Sequence, residues 1–360
     1  MAGEREVEIK EIDEEIEVED GAVFTEVEQT NVCGSEVHFW KGEFPVPNGA
    51  VLGHEAVLRV KELGDDVTTD SAGQSISEGD LVAPVYFKPC EECAGCRNGQ
   101  FYACEVVKST GDWMQPHTIP PHFRGTFGTH YYIHPDQKFY KVPESVPNHV
   151  AAGANCALSQ VIFGFEEEAD LDRGDEVVIQ GAGGLGINAI AVAKETGANV
   201  TVVEAADGRL ERAKEFGADN VVDMKEFDSR ESRIRHVQDL TGGDGADVGM
   251  EVAGIPAAFE EGPGMLRNGA TYIEMGNISA SLKCDDFSPA DLTLKRINVK
   301  SHLFYQPWYL MKALDFLEDN VEKYPYDDLL DATFPLEEAQ QALEGSAEQE
   351  FTRAALIPER

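Results

Sequence analysis

From residue 176 to 276 the chain alternates short apolar runs with amphipathic stretches. Strand-like segments fall at 176–180, 199–203, 221–223, 248–254 and 270–276, and helical spacing falls at 229–240 and 256–266. This alternation predicts a doubly wound parallel sheet. Near the C-terminus, 307–320 and 336–345 carry apolar residues at helical spacing and read as helices that turn one face to a core. The first twenty residues are acidic and alternating, the opposite of a signal or transit peptide. No apolar run approaches the ~18 residues that a membrane span needs.

With 360 residues and 42% hydrophobic composition, the chain is long enough for two domains with separate cores. These features predict a soluble, cytoplasmic protein. Charge changes the picture further: 67 acids against 29 bases give a formal net charge of -38. Such a surface repels nucleic acid and anionic membrane, because binding either requires Lys and Arg against phosphates. The acids are spread along the chain, so a folded acidic surface is expected and not an acidic tail. Self-repulsion of this size calls for screening, which reaches ~10 Å at 0.1 M salt and ~3 Å at 1 M. The expectation is a cytoplasm with molar salt, as in a halophile.

Four of the seven cysteines, Cys90, Cys93, Cys96 and Cys104, lie in one loop. In a reducing compartment disulfides are disfavoured. The spacing lets four thiolates converge on one tetrahedral ion, with Gly95 and Gly99 supplying tight turns. Four thiolates leave no open position, so this site is expected to hold structure and not substrate. The remaining candidates for chemistry are Cys33, the pair His54 and Glu55 in a Gly-His-Glu tripeptide, and Cys156. Two thiolates and one imidazole make a three-ligand zinc site with a fourth position open. Cys284 has no partner pattern and reads as an ordinary thiol.

The strand at 176–180 runs into Gly181, Ala182, Gly183, Gly184, Leu185 and Gly186, then into a helix, a second strand and Glu204. Gly181 serves a tight turn, Gly183 the approach of backbone to pyrophosphate, and Gly186 the packing of helix on strand. The helix N-terminus faces the anion. Glu204 can accept from the adenosine ribose hydroxyls and would repel a 2′-phosphate, which favours NAD; Arg209 nearby leaves NADP possible.

In this order, CGSEVH, GHE, the four-cysteine lobe, NCALSQ, GAGGLG, GGDGADVGMEVAG and TRAALIP resemble the zinc-dependent alcohol dehydrogenases of the medium-chain dehydrogenase/reductase superfamily, over nearly the full chain. The resemblance implies an α/β protein with a GroES-like, β-rich catalytic domain at 1–157 and 302–360, its structural zinc lobe at 88–106. A Rossmann NAD-binding domain follows at 158–301, with the active site in the cleft. It further implies that Cys33, His54 and Cys156 hold a catalytic zinc, and that Glu55 approaches the metal during ligand exchange. Ser35 would take the alcohol proton, with His38 as the next relay member and Glu36 orienting the histidine. Met275 would touch the nicotinamide and Arg353 the pyrophosphate. A homodimer or homotetramer is implied as well. Two features depart from the family. The N-terminus is shorter than usual, as though a first strand were absent or the start were misassigned. The segment 111–130 resembles only one branch of the family; it is expected to line or cover the cleft, with His117 and His122 as loop residues and not ligands.

The expected reaction is reversible oxidation of a primary or secondary alcohol to an aldehyde or ketone, with NAD and two zinc ions per subunit. A polyol or threonine-type dehydrogenase is the alternative within the family. Polyol enzymes often place Glu where Cys156 stands, which leans the reading towards simple alcohols. Trp40 and Tyr86 are candidate pocket walls. A zinc-free reductase would lack these cysteines, and a non-catalytic zinc- and nucleotide-binding protein would not need Ser35 and His38 beside the ligands.

Overall fold

The computed structural model describes residues 1–13, 15–44, 46–110, 115–279 and 281–359. It divides into two compact units, Met1–Ser159 with Gln306–Arg360, and Gln160–Tyr305.

The first unit is built on strands β1 (Val23–Asn31), β2 (Glu55–Leu63), β3 (Leu81–Pro84), β4 (His130–Ile133), β5 (Phe139–Lys141), β12 (Ala332–Pro335) and β13 (Ala354–Ile357). They pair in the order β12-β13-β1-β2-β3-β5, with β4 also on β1. Pairing is antiparallel except between β12 and β13. Alternate residues of β1 and β2 enter a core with Val82, Tyr131 and Ile133. A second core gathers Val32, Trp40, Leu52, Leu336, Leu343 and Leu356, where the helix Gly34–Trp40 meets the helix Ala339–Ala347. Each fully buried aliphatic side chain contributes ~1.5–3 kcal/mol, so these cores fix the strand ends that carry the site. In residues 1–13 an isolated bridge pairs Gly3 with Glu6.

The second unit holds β6 (Glu176–Gln180), β7 (Asn199–Glu204), β8 (Asn220–Asp223), β9 (Ala246–Glu251), β10 (Leu266–Glu274) and β11 (Asn298–Ser301). All pairs are parallel, in the order β11-β10-β9-β6-β7-β8. Read from the other edge, this is the 3-2-1-4-5-6 order of a dinucleotide-binding sheet, which reverses direction between β6 and β9. The loops after those two strands therefore flank the place where such sheets take their ligand.

Candidate functional site

Cys33 caps the N-terminus of the helix Gly34–Trp40 with an extended backbone, φ -85° and ψ 159°. That position frees its side chain from the helix face. Glu36, three residues on, accepts the Cys33 backbone N–H at 3.0 Å through Oε2. Its other oxygen accepts from Nδ1 of His54. One fully buried carboxylate thus ties two candidate ligands and fixes the His54 tautomer that turns an unprotonated Nε2 to the cluster. Cys156 lies in a single π-helical turn, Ala154–Leu158. Asn155 beside it donates to His54 O at 2.8 Å and Pro84 O at 3.0 Å, pinning this turn to β2 and β3.

The donor atoms of Cys33, His54, Glu55 and Cys156 all lie within 4.8 Å of one another. The two sulphurs are 4.0 Å apart, and His54 Nε2 is 3.3 Å from Cys156 Sγ. A tetrahedral ion with bonds of ~2.3 Å to sulphur and ~2.0–2.1 Å to nitrogen requires edges of about 3.8 and 3.6 Å. Glu55 supplies a second test of fit. Its Oε2 accepts from Arg353, whereas Oε1 is buried with no hydrogen-bond partner. A buried carboxylate oxygen left unmatched beside two thiols and an imidazole is what a cation would satisfy.

The electrostatics agree. The hydrogen bond from Cys156 draws the Cys33 thiol well below its ordinary value, while the same bond and burial push Cys156 up. Burial, opposed by Arg353, lifts Glu55 to about 8. Burial works against protonating His54, yet the Glu36 carboxylate holds it well above its usual value.

The sequence reading gave Arg353 to the pyrophosphate. The structure places its guanidinium against Glu55, within the unit that holds the cluster. Ser35 and His38 sit on the same short helix, three residues apart, on one face. Among the described residues they share no hydrogen bond; His38 Nδ1 donates to Glu43 at 2.5 Å. Tyr86, a candidate wall, packs its ring 4.7 Å from that of His54. Trp40 is buried in the core with Leu52 and Leu343. Of the segment 111–130, residues 111–114 lie outside the described residues. His122 Nδ1 donates to His117 O at 2.7 Å, and neither histidine joins a metal-ligating group among the described residues.

In the lobe, Cys90, Cys93, Cys96 and Cys104 also bring their sulphurs within 4.8 Å of one another. The backbone N–H of Cys90 points to Cys104 Sγ at 3.3 Å, and that of Cys93 to Cys90 Sγ at 3.4 Å, as thiolates around a cation would accept. A Cβ on Gly95 would meet Ala103 O at 2.7 Å, so glycine is required for the loop to close. Gln306 anchors the lobe, donating to Gly99 O at 2.7 Å and accepting from Phe101 N at 3.1 Å.

In the second unit, Gly181 has φ +100°, and a Cβ on Gly186 would meet Gly181 O at 2.0 Å. Gly183 has nothing within 4 Å of its Cβ position, and it caps the helix Gly184–Thr196, which begins with Gly184, Leu185 and Gly186. The open space above a helix N-terminus suits a phosphate. Glu204 ends β7, buried, and accepts backbone N–H groups from Ala182, Ala205 and Ala206 at 2.9, 2.7 and 3.0 Å. Arg209 stands 3.9 Å from its Oε2. With about four acceptor sites on a carboxylate, three bonds leave one for a ribose hydroxyl.

Sequence reasoning missed a polar knot at the ends of β9 and β10. Glu251 is fully buried and accepts from Ala253 N, Gly254 N and Asn277 Nδ2 at 2.8, 2.8 and 2.9 Å. Glu274 accepts from Asn277 N at 2.9 Å, and Met275 N donates to Glu251 O at 3.1 Å. Burial, then the Glu274 charge, raises Glu251 from 4.5 to about 8. Between those values the folded chain binds more protons than the unfolded one, so this contribution to stability falls as pH rises from 4.5 to about 8. Glu251→Gln is therefore expected to raise the melting temperature more at about pH 8 than at about pH 5. Equal shifts at both values in thermal melts would sink that account.

The model of the alcohol dehydrogenase GroES-like domain matches residues 19–144, and that of the zinc-binding dehydrogenase matches 184–319. The chain is 31% identical over 329 residues to 5-exo-hydroxycamphor dehydrogenase of Pseudomonas putida, covering 90% of this chain and 88% of that protein. It is 31% identical over 327 residues to D-xylulose reductase A of Aspergillus niger, with 89% and 85% covered. Among solved structures, an alcohol dehydrogenase from Thermotoga maritima superposes with a TM-score of 0.88 at 31% identity, covering 95% of this chain and 93% of that one.

Proposed function

Since the chain belongs to the zinc-type alcohol dehydrogenase family of the medium-chain dehydrogenase/reductase superfamily, we propose that it transfers hydride reversibly between a primary or secondary alcohol and NAD, giving an aldehyde or ketone. The observation that carries this reading is the enclosed cluster of Cys33, His54, Glu55 and Cys156 with its unmatched carboxylate oxygen. Cys33, His54 and Cys156 would hold zinc, which when bound supplies a Lewis acid that lowers the pKa of an oxygen ligand. NAD supplies the hydride acceptor, seated by Gly181, Gly183, Gly184, Leu185 and Gly186, with Met275 at the nicotinamide end. Glu204 and its single remaining acceptor site favour NAD, and Arg209 would admit NADP at lower efficiency.

The chain's own groups position and move the proton. Glu36 holds Cys33 and His54 in register. Ser35 takes the hydroxyl proton, and His38, half exposed and turned to Glu43, passes it to solvent. Arg353 holds Glu55 ready to compensate charge at the cluster. A polyol is the second substrate class, supported by similarity to a D-xylulose reductase.

The test is cofactor reduction across primary, secondary, cyclic and polyol substrates in molar KCl, with NAD and with NADP, before and after chelation. Turnover on one class that chelation removes is expected; turnover indifferent to chelation would overturn the reading.

The net charge of -38 supports a cytoplasm of molar salt. No helix among the described residues is long and apolar enough to cross a membrane. The melting temperature is expected to rise steadily between roughly 0.1 and 1 M KCl, as the screening length falls; a flat profile in calorimetry would argue against adaptation to salt. A homodimer or homotetramer is supported by the edge strand β11, exposed along its length, with Val299 exposed within it and Leu294 and Leu303 exposed on either side in the chain.

A further inference from the structure

Glu43 is an acid that the reaction described above leaves without a role, and a dedicated turn places it. On the helix Gly34–Trp40, the side chains of Glu36, Val37, Phe39 and Trp40 are buried. Ser35 and His38 lie on the remaining face, half-buried, with Gly34 exposed beside them. That face begins at Cys33, which caps the helix. At the other end Glu43 N donates to His38 O at 3.0 Å, and Gly42 N donates to Phe39 O at 3.1 Å. This pair of bonds is a Schellman closure, which requires a left-handed residue at Gly42. Gly42 has φ +72°, and a Cβ there would meet Glu4 Cγ at 3.1 Å. Arg5 N ties down the same end, donating to Trp40 O at 2.6 Å. The turn brings Glu43 back beside His38, where its Oε2 accepts from Nδ1 at 2.5 Å. An ionised carboxylate only accepts, so Nδ1 carries the ring proton and Nε2 is left as the acceptor. Glu36 does the same for His54 from the buried side of this helix.

We propose that Glu43 is a positioning residue of the proton path: through Nδ1 it holds His38 in the tautomer and orientation whose Nε2 takes the proton passed on by Ser35. The proposal rests on the dehydrogenase reading, in which the alcohol proton leaves by Ser35 and His38. Hydroxyl, imidazole and carboxylate then stand as proton donor, base and the group that orients the base. Ser35 gains the alcohol proton as it gives up its own. Ser35 and His38 share no hydrogen bond among the described residues, so that step runs through a bridging water. The ring gains the proton at Nε2 and becomes positive, and solvent water then removes it, since His38 is 35% exposed. Glu43 takes no proton; its carboxylate balances the ring's charge while that charge lasts.

Two measurements on the zinc-loaded enzyme at a fixed KCl concentration test this. In the first, nitrogen-edited NMR spectra of the histidine rings show which nitrogen carries the proton. His38 is assigned from its loss in His38→Gln, and no turnover is needed. The wild type is expected to show Nδ1 protonated and Nε2 bare, and Glu43→Leu to return the ring to a mixture of both tautomers. In the second, proton release in a single turnover is followed by stopped flow with a pH indicator in weak buffer, beside NADH formation. Glu43→Leu should slow that release about 10- to 100-fold, a part of the ~10²–10⁴-fold that a general base supplies. Glu43 is exposed, so the melting temperature and NAD affinity should stay at wild-type values. Across Glu43→Leu, Glu43→Gln and Glu43→Asp, the release rate should follow the fraction of His38 with its proton on Nδ1. A side chain that merely stabilised the turn would give no such correlation. A wild type with its proton on Nε2, or unchanged release in Glu43→Leu while alcohol is still oxidised, would overturn the proposal and leave the dehydrogenase reading standing. A wild type that oxidises no alcohol would sink that reading, and the role of Glu43 with it.

Discussion

Cys33→Ala is expected to lower kcat by at least about 10³-fold while leaving NAD affinity within about twofold of the wild type, because a Lewis acid contributes several kcal/mol and each 1.4 kcal/mol is a factor of ten. The substitution removes one of three candidate protein ligands and the group that Glu36 ties to His54 through its own backbone. The remaining thiol and imidazole, 3.3 Å apart, cannot close a three-ligand site. A general base working without the metal supplies typically ~10²–10⁴-fold, so Ser35 and His38 alone cannot restore the rate. The cofactor half of the expectation follows from the division of the chain: the 181–186 turn and Glu204 belong to a compact unit with its own sheet and core. Metal content should fall from two ions to one per chain, read by atomic absorption, with NADH binding followed by fluorescence. Cys284→Ala, at an exposed thiol away from either cluster, serves as the control. Retained turnover in Cys33→Ala would remove Cys33 from the chemistry.

What could be read from the sequence was whatever depends on residues near one another in the chain. The four lobe cysteines span fifteen positions, and their spacing alone constrains a loop that can converge. The 181–186 turn is equally local: Gly186 is needed because its Cβ would strike the carbonyl of Gly181, five residues back. The parallel sheet follows from the alternation of strands and helices, whereas β11 (Asn298–Ser301) has no counterpart among the strand-like segments and the strand order came only from the structure.

Illegible were the partners that meet only in three dimensions. Arg353 and Glu55 are 298 residues apart, and nothing in either stretch points to the other. Gln306 reaches the lobe across 207 residues, from a segment that reads as the start of a core helix. Glu251 and Glu274 stand 23 residues apart in the chain, each in a strand-like segment that gives no sign of the other. Parallel pairing of β9 with β10 sets them in register, and only then do the burial and the neighbouring charge that raise Glu251 become visible. Asn155 was masked by its neighbour Cys156, although a polar residue within an apolar stretch is itself a signal of a buried hydrogen-bond role.

The second large effect is expected at the lobe, with the opposite signature. Cys93→Ser should cost the protein its fold or assembly before its chemistry. Structural zinc in small peptides contributes ~10–16 kcal/mol, as much as the ~5–15 kcal/mol that separates a whole domain from its unfolded state. Cys93 also begins the short helix Ala94–Arg97, accepting Arg97 N at 3.0 Å through its carbonyl, so the loop's turn and its thiolate come from one residue. Once the four sulphurs lose their common ion, two buried cysteines and the Gln306 bonds to Gly99 and Phe101 are left without the centre that orders them. The expected result is a melting temperature lowered by well over 10 °C, or protein recovered only as aggregate; a deficit of several kcal/mol at ~2–4 °C per kcal/mol sets the scale. Any folded fraction should keep the kcat of the wild type per bound catalytic zinc, because the lobe holds no residue of the Cys33 cluster. Cys33→Ala should do the reverse, losing rate while melting near the wild-type temperature. If Cys93→Ser melts like the wild type with two zinc ions per chain, the lobe is not a metal site. If both variants lose rate and stability together, the two clusters are not independent, and the division of labour between a structural and a catalytic metal fails with them.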